Sequence, residues 1–285
     1  MTAQLLVTDL DNTLYDWVGY FVPAFYAMVD RAVEITGCDR DTLLDDLRAV
    51  HQSHHDSEHP FALLEASSIK ARYEGKSSAE VAALLDPAFH AFNTIRKNNI
   101  HLYPGVADGL RQIKSMGVGL VAHTESKLPG VVDRLTRLGI ADCFNEIFCI
   151  ERPRTLVTTA RRWAQLDAFP LDRVHELSHH QRKPDPAVLL EICRSNGVSP
   201  GRTLYVGDSL TRDMLLARRA GVFAAWAKYG IRHAPSEYDA LVRISHWTPE
   251  DVEREKTLRK SASDLQPDVI LDERFDEIVP IVRDL

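Results

Sequence analysis

Gln4-Leu5-Leu6-Val7-Thr8-Asp9-Leu10-Asp11-Asn12-Thr13-Leu14 is the stretch from which the fold can be read. It begins as a short apolar run and ends in a cluster of polar side chains. A buried parallel strand reads this way when its C-terminal end opens onto a site, because both its faces are covered and only its end meets solvent. Working outward, the chain changes character from about Trp17 to Asn99. Phe21, Phe25, Met28, Val29, Ala32 and Val33 recur at helical spacing and Gly37 can end that helix. Further helical patterns run over Asp41–Ser53, Phe61–Tyr73, Ser78–Leu85 and Pro87–Arg96, with no strand signal between them.

Beyond Tyr103 the pattern alternates. A helix over Val106–Met116 is stopped by Gly117, and a strand over Val118–Ala122 follows. After it come a helix over Pro129–Leu138, an apolar stretch from Cys143 to Ile150, and a helix over Pro184–Asn196. A strand at Thr203–Val206, a helix over Leu210–Ala220 and a strand at Val222–Trp226 continue the rhythm. Pro267–Leu271 reads as a late strand and Phe275–Leu285 as a terminal helix. Glu151–Arg182 carries many charges and no clear period. Ile231–Gln266 reads as two polar helices. Strands alternating with helices imply a parallel sheet covered on both faces. The expected architecture is α/β: a Rossmann-like parallel sheet with helices on both faces, formed by residues 1–15 and 101–285, plus an inserted helical domain over 16–100.

Composition narrows the function classes. The chain has 285 residues, 45% apolar and 26% charged, which describes a globular protein with enough material for a substantial core. No apolar run reaches the ~20 residues of a membrane span, and the first residues lack a secretion signal's basic start and long apolar core. Cys38, Cys143, Cys149 and Cys193 show no CxxC spacing and read as thiols in a reducing cytoplasm. With 34 basic against 41 acidic side chains, a formal charge of −7 gives no footprint for nucleic acid. No pattern specifies an oligomeric state.

On open parallel sheets, ligands sit beyond the C-terminal ends of the strands, so the polar residues that follow each strand carry the information. These are Asp9, Asp11, Asn12 and Thr13 after the first, His123, Thr124 and Glu125 after the second, and Gly207, Asp208, Ser209 and Asp213 after the strand ending at Val206. The loop into the Pro184 helix adds Lys183. Four aspartates together resist ionisation unless a cation shares the site, and all-oxygen ligands suit magnesium. A lysine and a hydroxyl supply what the remaining oxygens of a phosphoryl group require. An ionised aspartate can attack phosphorus, and a carboxyl two residues away can protonate the leaving oxygen and later activate water.

These stretches resemble the four motifs of the haloacid dehalogenase superfamily of phosphohydrolases, in the required order. Asp9-Leu10-Asp11-Asn12-Thr13-Leu14 is similar to the first, Thr124 after its apolar strand to the second, Lys183-Pro184-Asp185-Pro186 to the third, and Gly207-Asp208-Ser209-Leu210-Thr211-Arg212-Asp213 to the fourth. The resemblance implies that Asp9 is the nucleophile and Asp11 the general acid and base. It implies that Thr124, Lys183 and the backbone N–H of Glu125 hold phosphate, and that Asp9, Asp208, Asp213 and the Asp11 carbonyl hold Mg2+. It also implies that the insert is a C1-type cap that selects a small phosphorylated metabolite. Dehalogenase members lack the second carboxylate, because halide leaves without a proton; Asp11 therefore favours phosphoryl chemistry. Phosphonate-cleaving relatives use a cap lysine, but Lys70 and Lys76 have no distinguishing context. The alternatives within this reading are a phosphotransferase or mutase, and a regulatory protein that retains the fold. Nucleotides, sugar phosphates and phosphoglycolate all remain open as substrates.

Several residues depart from the pattern or stand outside it. Glu125 replaces the more usual asparagine, and its carboxylate is expected to turn away from phosphate. Tyr15, Trp17 and His123 are candidates for substrate contact, with a core role the plainer reading of His123. Arg152, Arg154, Arg161 and Arg162 read as a solvated face. His51, His54, His55 and His59 crowd a short span, and 51, 55 and 59 share a face if the helix continues. A zinc site and substrate contact are alternatives for this cluster, but Pro60, with Ser53, Asp56 and Ser57 beside it, points instead to a helix end and a surface cluster.

Overall fold

The structure, a computed structural model, describes residues 3–59, 61–151 and 166–285; Pro60, Arg152, Arg154, Arg161 and Arg162 lie outside the described residues. In chain order, β1 (Leu5–Thr8) precedes helices α1 (Trp17–Thr36), α2 (Arg40–His54), α3 (Ala62–Glu65), α4 (Ser67–Arg72), α5 (Ser78–Leu84) and α6 (Asp86–Asn99). Then come α7 (Val106–Ser115), β2 (Gly119–Lys127), α8 (Leu128–Leu138), β3 (Glu146–Ile150), β4 (Val174–Leu177), α9 (Ala187–Ser195), β5 (Thr203–Gly207), α10 (Leu215–Ala220) and β6 (Phe223–Ala227). The chain finishes with α11 (Pro235–Ile244), α12 (Pro249–Ser261), β7 (Val269–Leu271) and α13 (Ile278–Asp284).

Among the described residues the strands form one parallel sheet in the order β4-β3-β2-β1-β5-β6-β7. The chain leaves β1 toward β2, β3 and β4, then returns to place β5 on the other side of β1. That reversal opens a crevice at the C-terminal ends of β1 and β5, the usual ligand position in such sheets. Period-two alternation makes the core. Leu5, Val7, Val121, Phe148 and Tyr205 pack with Val188, Leu189 and Ile192 of α9 and Leu216 and Ala217 of α10. The alternating residues Leu6, Leu120, Ala122, Ile147 and Leu204 are equally buried, and α7 and α8 pack against β2. Strands buried on both faces explain why β1, β3 and β5 read as unbroken apolar runs.

Elements differ from expectation in several places, and the helix read over Phe61–Tyr73 is broken at Ala66 into α3 and α4. The second strand was expected to end at Ala122, but β2 continues to Lys127 because it pairs with β3, with an irregularity between His123 and Lys127. His123, Thr124 and Glu125 therefore lie in the strand rather than after it. β4 falls inside the stretch that shows no period; as the edge strand it has only Leu177 fully buried, so alternation is not visible.

Two compact units divide the chain: residues 1–16, 101–232 and 255–285 in one, and 17–100 and 233–254 in the other. The expected division gave 233–254 to the sheet unit. In the structure α11 packs on α1 and α2, Tyr26 Oη donates to Ala240 O at 3.0 Å, and Gln52 Nε2 donates to Trp247 O at 3.0 Å. These contacts join segments about 200 residues apart in sequence, which periodicity does not register. Within this helical unit α1 runs along α6 and carries an aromatic ladder at i, i+4 spacing. Trp17 stacks on Phe21 at 4.9 Å, Phe21 meets Phe25 at 5.9 Å, and Phe25 meets His51 at 5.4 Å. Gly37 ends α1 at φ +66, and the Asp39 carboxylate caps α2 by accepting from Thr42 N–H at 2.8 Å.

The helix end expected near Pro60 is found: α2 stops at His54 and His55 adopts a left-handed conformation (φ 49), so 51, 55 and 59 share no helix face. His51 is instead buried, with Nδ1 2.7 Å from Ile244 O. Burial lowers its pKa below 6.5, although the Ile244 carbonyl pulls the other way. Its folded value lies below its unfolded one, so the unfolded chain binds the extra proton and stability drops as pH falls through 6.5. Melting followed from pH 7.5 down to 5.5 is expected to show this loss, and His51→Gln to flatten it; an unchanged slope in the variant refutes the assignment.

Candidate active site

β1 delivers Asp9 to the sheet crevice, where its N–H donates to Val206 O of β5 at 2.9 Å. The chain then folds back on itself. Asn12 takes a left-handed conformation (φ 57), a geometry asparagine tolerates better than bulkier side chains, and its N–H donates to Tyr15 O at 2.9 Å. The loop is buttressed by residues near the end of β6. Tyr229 Oη donates to Thr13 O at 2.7 Å, and a Cβ on Gly230 would fall 1.7 Å from Asn12 O. Only glycine permits that approach.

The side chains of Asp9, Asp208, Asp213 and Lys183 converge. Lys183 Nζ lies 2.9 Å from Asp9 Oδ1 and 2.8 Å from Asp213 Oδ1. One carboxylate oxygen from each of Asp9, Asp208 and Asp213 lies within 4.8 Å of the others. Asp213 owes its position to a π-helical turn over Leu210–Met214, in which Asp213 and Met214 N–H both point to Ser209 O at 2.9 and 3.1 Å. The widened turn carries its carboxylate back to accept from Ser209 N–H at 3.0 Å and from Tyr205 Oη at 3.3 Å. Gly207 leaves room for it, since a Cβ there would meet Asp213 Cγ at 2.3 Å. Trp226 Nε1 donates to Asp208 O at 2.7 Å and fixes that turn from β6.

Burial dominates the electrostatics. It raises the Asp9 pKa, Lys183 opposes it, Asp213 adds to it, and the outcome is a value pushed from 3.8 to about 7. Burial, with Asp213 and Asp9 alongside, drives Asp208 well above the usual carboxylate range. For Lys183 burial works against the charge, yet Asp213 and Asp9 outweigh it and hold its pKa well above the ordinary lysine value. Three carboxylates thus face one ammonium, and ionising all of them is expensive without a further positive charge. An all-oxygen donor set in that state fits a hard divalent cation.

Asp11 stands apart from this trio. Ser126 Oγ donates to its Oδ2, and Arg134 Nε lies 3.6 Å from its Oδ1. Arg134 Nη2 also donates to Ser126 Oγ at 2.7 Å. Arg134 is only 1% exposed and sits on α8 among Val131, Val132 and Leu135, which are also buried. Glu125 is engaged elsewhere: it accepts from Lys183 N–H at 3.1 Å and pairs with Arg212 at 3.3 Å. The Thr124 hydroxyl is buried and accepts from Ser126 N–H at 3.1 Å.

The structure does not open the three candidate specificity residues equally. His123 is buried, edge-on to Tyr205 at 6.1 Å, and burial holds its pKa well below 6.5, which describes a neutral core imidazole. Tyr15 is fully buried, with the Arg134 guanidinium 5.8 Å from its ring centre. Trp17 is half-buried and stacked on Phe21. Sequence reasoning missed Ser126, Arg134, Tyr205, Trp226 and Gly230. An arginine among buried apolar helix positions was the one available signal, for Arg134.

The model of the haloacid dehalogenase-like hydrolases matches residues 3–221. A phosphoglycolate phosphatase of Nitrosococcus oceani is 30% identical over 167 residues, covering 56% of this chain and 61% of that protein, so the chain spans only about three fifths of that relative. A glyceraldehyde 3-phosphate phosphatase of Methanopyrus kandleri is 28% identical over 233 residues, 80% of this chain and 84% of that protein. Among solved structures, a 2-haloacid dehalogenase from Pseudomonas syringae pv. Tomato superposes with a TM-score of 0.56 at 22% identity, over 98% of this chain and 97% of that one, a likeness of fold.

Proposed function

Because the chain belongs to the haloacid dehalogenase-like hydrolases, we propose that it is a magnesium-dependent phosphomonoesterase acting through an aspartyl-phosphate on a small phosphorylated metabolite. The observation that carries this reading is the buried Asp9–Lys183 pair beside Asp208 and Asp213 at the crevice of the sheet. Lys183 favours the ionised form of Asp9, and ionised Asp9 is the nucleophile. An Asp9 carboxylate oxygen forms the bond to phosphorus as the ester oxygen departs with the Asp11 proton. The Asp11 carboxylate then takes a proton from water, the water oxygen attacks phosphorus, and Asp9 leaves from inorganic phosphate. The Lys183 ammonium, the Thr124 hydroxyl and the Glu125 N–H hold the phosphoryl oxygens. Pairing of the Glu125 carboxylate with Arg212 and Lys183 N–H offsets the repulsion an extra acid would otherwise cause. Asp9, Asp208, Asp213 and the Asp11 carbonyl would hold Mg2+, which supplies charge neutralisation for the phosphoryl oxygens.

Asp11 also separates this reading from dehalogenation, since an alkoxide leaving group needs a proton and a halide does not. Arg134 and Ser126 act as its positioning residues. Arg134→Lys is expected to lower turnover of an alkyl phosphate by about tenfold to a hundredfold. The loss for p-nitrophenyl phosphate, whose leaving group needs no proton, is expected to be smaller; equal losses on both substrates refute the positioning role.

Relatives named for phosphoglycolate and glyceraldehyde 3-phosphate make these two esters the first substrates to assay. The helical unit begins directly after the Asp9 loop, the chain position of a C1-type cap, and we assign substrate selection to it. Magnesium-dependent release of inorganic phosphate from a panel of phosphorylated metabolites tests the activity. Mass spectrometry of a trapped phospho-enzyme tests the route. Full activity in EDTA, or no hydrolysis across the panel, overturns the reading.

A further inference from the structure

The helical unit carries a second group of metal-ligating side chains that phosphate chemistry does not use. We propose that His54, His59 and Glu65 form a binding site for a late first-row divalent cation, with zinc the occupant. His54 is the last residue of α2, and the left-handed turn at His55 reverses the chain. Glu58 N–H donates to Asp56 Oδ1 at 2.8 Å and shapes the return, which lays the His59 ring parallel to His54 at 3.6 Å and 9°. α3 then presents Glu65 to both. His54 Nε2 lies 2.8 Å from Glu65 Oε2, and His59 Nε2 lies 2.6 Å from Glu65 Oε1. One ligand atom from each residue lies within 4.8 Å of the other two.

The chemistry of this donor set selects its occupant. Without an ion, each ring donates an Nε2–H to one oxygen of Glu65, which the Nε2–H tautomer of each imidazole allows. In the Nδ1–H tautomer each Nε2 offers a lone pair instead, and rotation of the exposed His54 ring out of the parallel stack turns both lone pairs toward one ion beside the Glu65 carboxylate. Two imidazoles and a carboxylate suit zinc and its neighbours, whereas magnesium prefers the all-oxygen set of Asp9, Asp208 and Asp213. The side chains of His54 and Glu65 are 37% and 40% exposed, which gives an ion access and leaves room for water as a fourth ligand. Loading the site ties the end of α2 to α3, so binding stabilises the helical unit by mass action.

The test uses the full chain in excess magnesium, which occupies the carboxylate trio. Calorimetric titration with zinc is expected to show one site per chain, a rise in melting temperature, and a tetrahedral cobalt spectrum on substitution. His59→Ala and the near-isosteric Glu65→Gln are each expected to weaken zinc binding by about tenfold or more, since even outer partners of a metal ligand matter by that much. His55→Ala is expected to change nothing. Melting in EDTA checks that the variants fold. Absence of zinc binding under these conditions, or affinity unchanged in both Glu65→Gln and His59→Ala, overturns the proposal and leaves a hydrogen-bonded trio.

Discussion

Asp9→Asn is expected to reduce phosphatase turnover by about four orders of magnitude or more, the scale on which enzymes lose activity when a nucleophile is removed. The substitution preserves shape, so the expected loss is chemical rather than structural. Stability gives the control. The folded-state pKa of Asp9 is raised from 3.8 to about 7, first by burial. A carboxyl raised in the folded state contributes stability that is present below pH 3.8 and is lost as pH climbs through 7. At pH 8 without metal the charged Asp9 is a burden, and its amide is not. Asp9→Asn is therefore expected to melt no lower than the parent in EDTA at pH 8. Retained turnover removes the nucleophile assignment; lost turnover with a lowered melting point makes the result structural instead.

Lys183→Met is expected to damage both activity and fold. The ammonium is buried and lies within 3 Å of Asp9 and Asp213, so removing it leaves two acidic groups facing each other in a low-dielectric site. Breaking a buried pair by deleting one partner typically costs about 3–5 kcal/mol. Without metal this is expected as a large drop in melting temperature. Added magnesium is expected to recover part of the stability, because a cation held by Asp9, Asp208 and Asp213 offsets the same charges. Turnover is expected to stay low even then, since the phosphoryl group has lost a cationic partner. A variant as stable and active as the parent removes Lys183 from the site.

Much of the fold was legible because parallel sheets write themselves locally. Leu5–Thr8, Glu146–Ile150 and Thr203–Gly207 are apolar because helices cover both faces, and that remains visible in a single sequence. The edge strand Val174–Leu177 was not legible, since half-exposed side chains need not alternate. The length of β2 was not legible either, because pairing with β3 rather than side-chain type extends it to Lys127. In the site, Asp9, Asp208, Asp213 and Lys183 could be named from their places after strands and their motif order. Ser126 and Gly230 could not, as their relevance lies in contacts with Asp11 and Asn12 more than a hundred residues away, and Arg134 was marked only by its place among apolar helix positions.

The sequence by itself determined the alternation of strand and helix, the helical insert after the first strand, and the four polar clusters that name a phosphoryl chemistry. Those are properties of neighbours along the chain, set by period and by the residue types that end each element. Tertiary structure alone decided that residues 233–254 join the helical unit, that Glu125 answers to Arg212, that His123 and Tyr15 are buried, and that His54 and His59 stack on each other beside Glu65. Each of these depends on where a distant segment lands and which charges it brings. Coulomb and packing energies follow distance in space, and a linear sequence does not carry that distance.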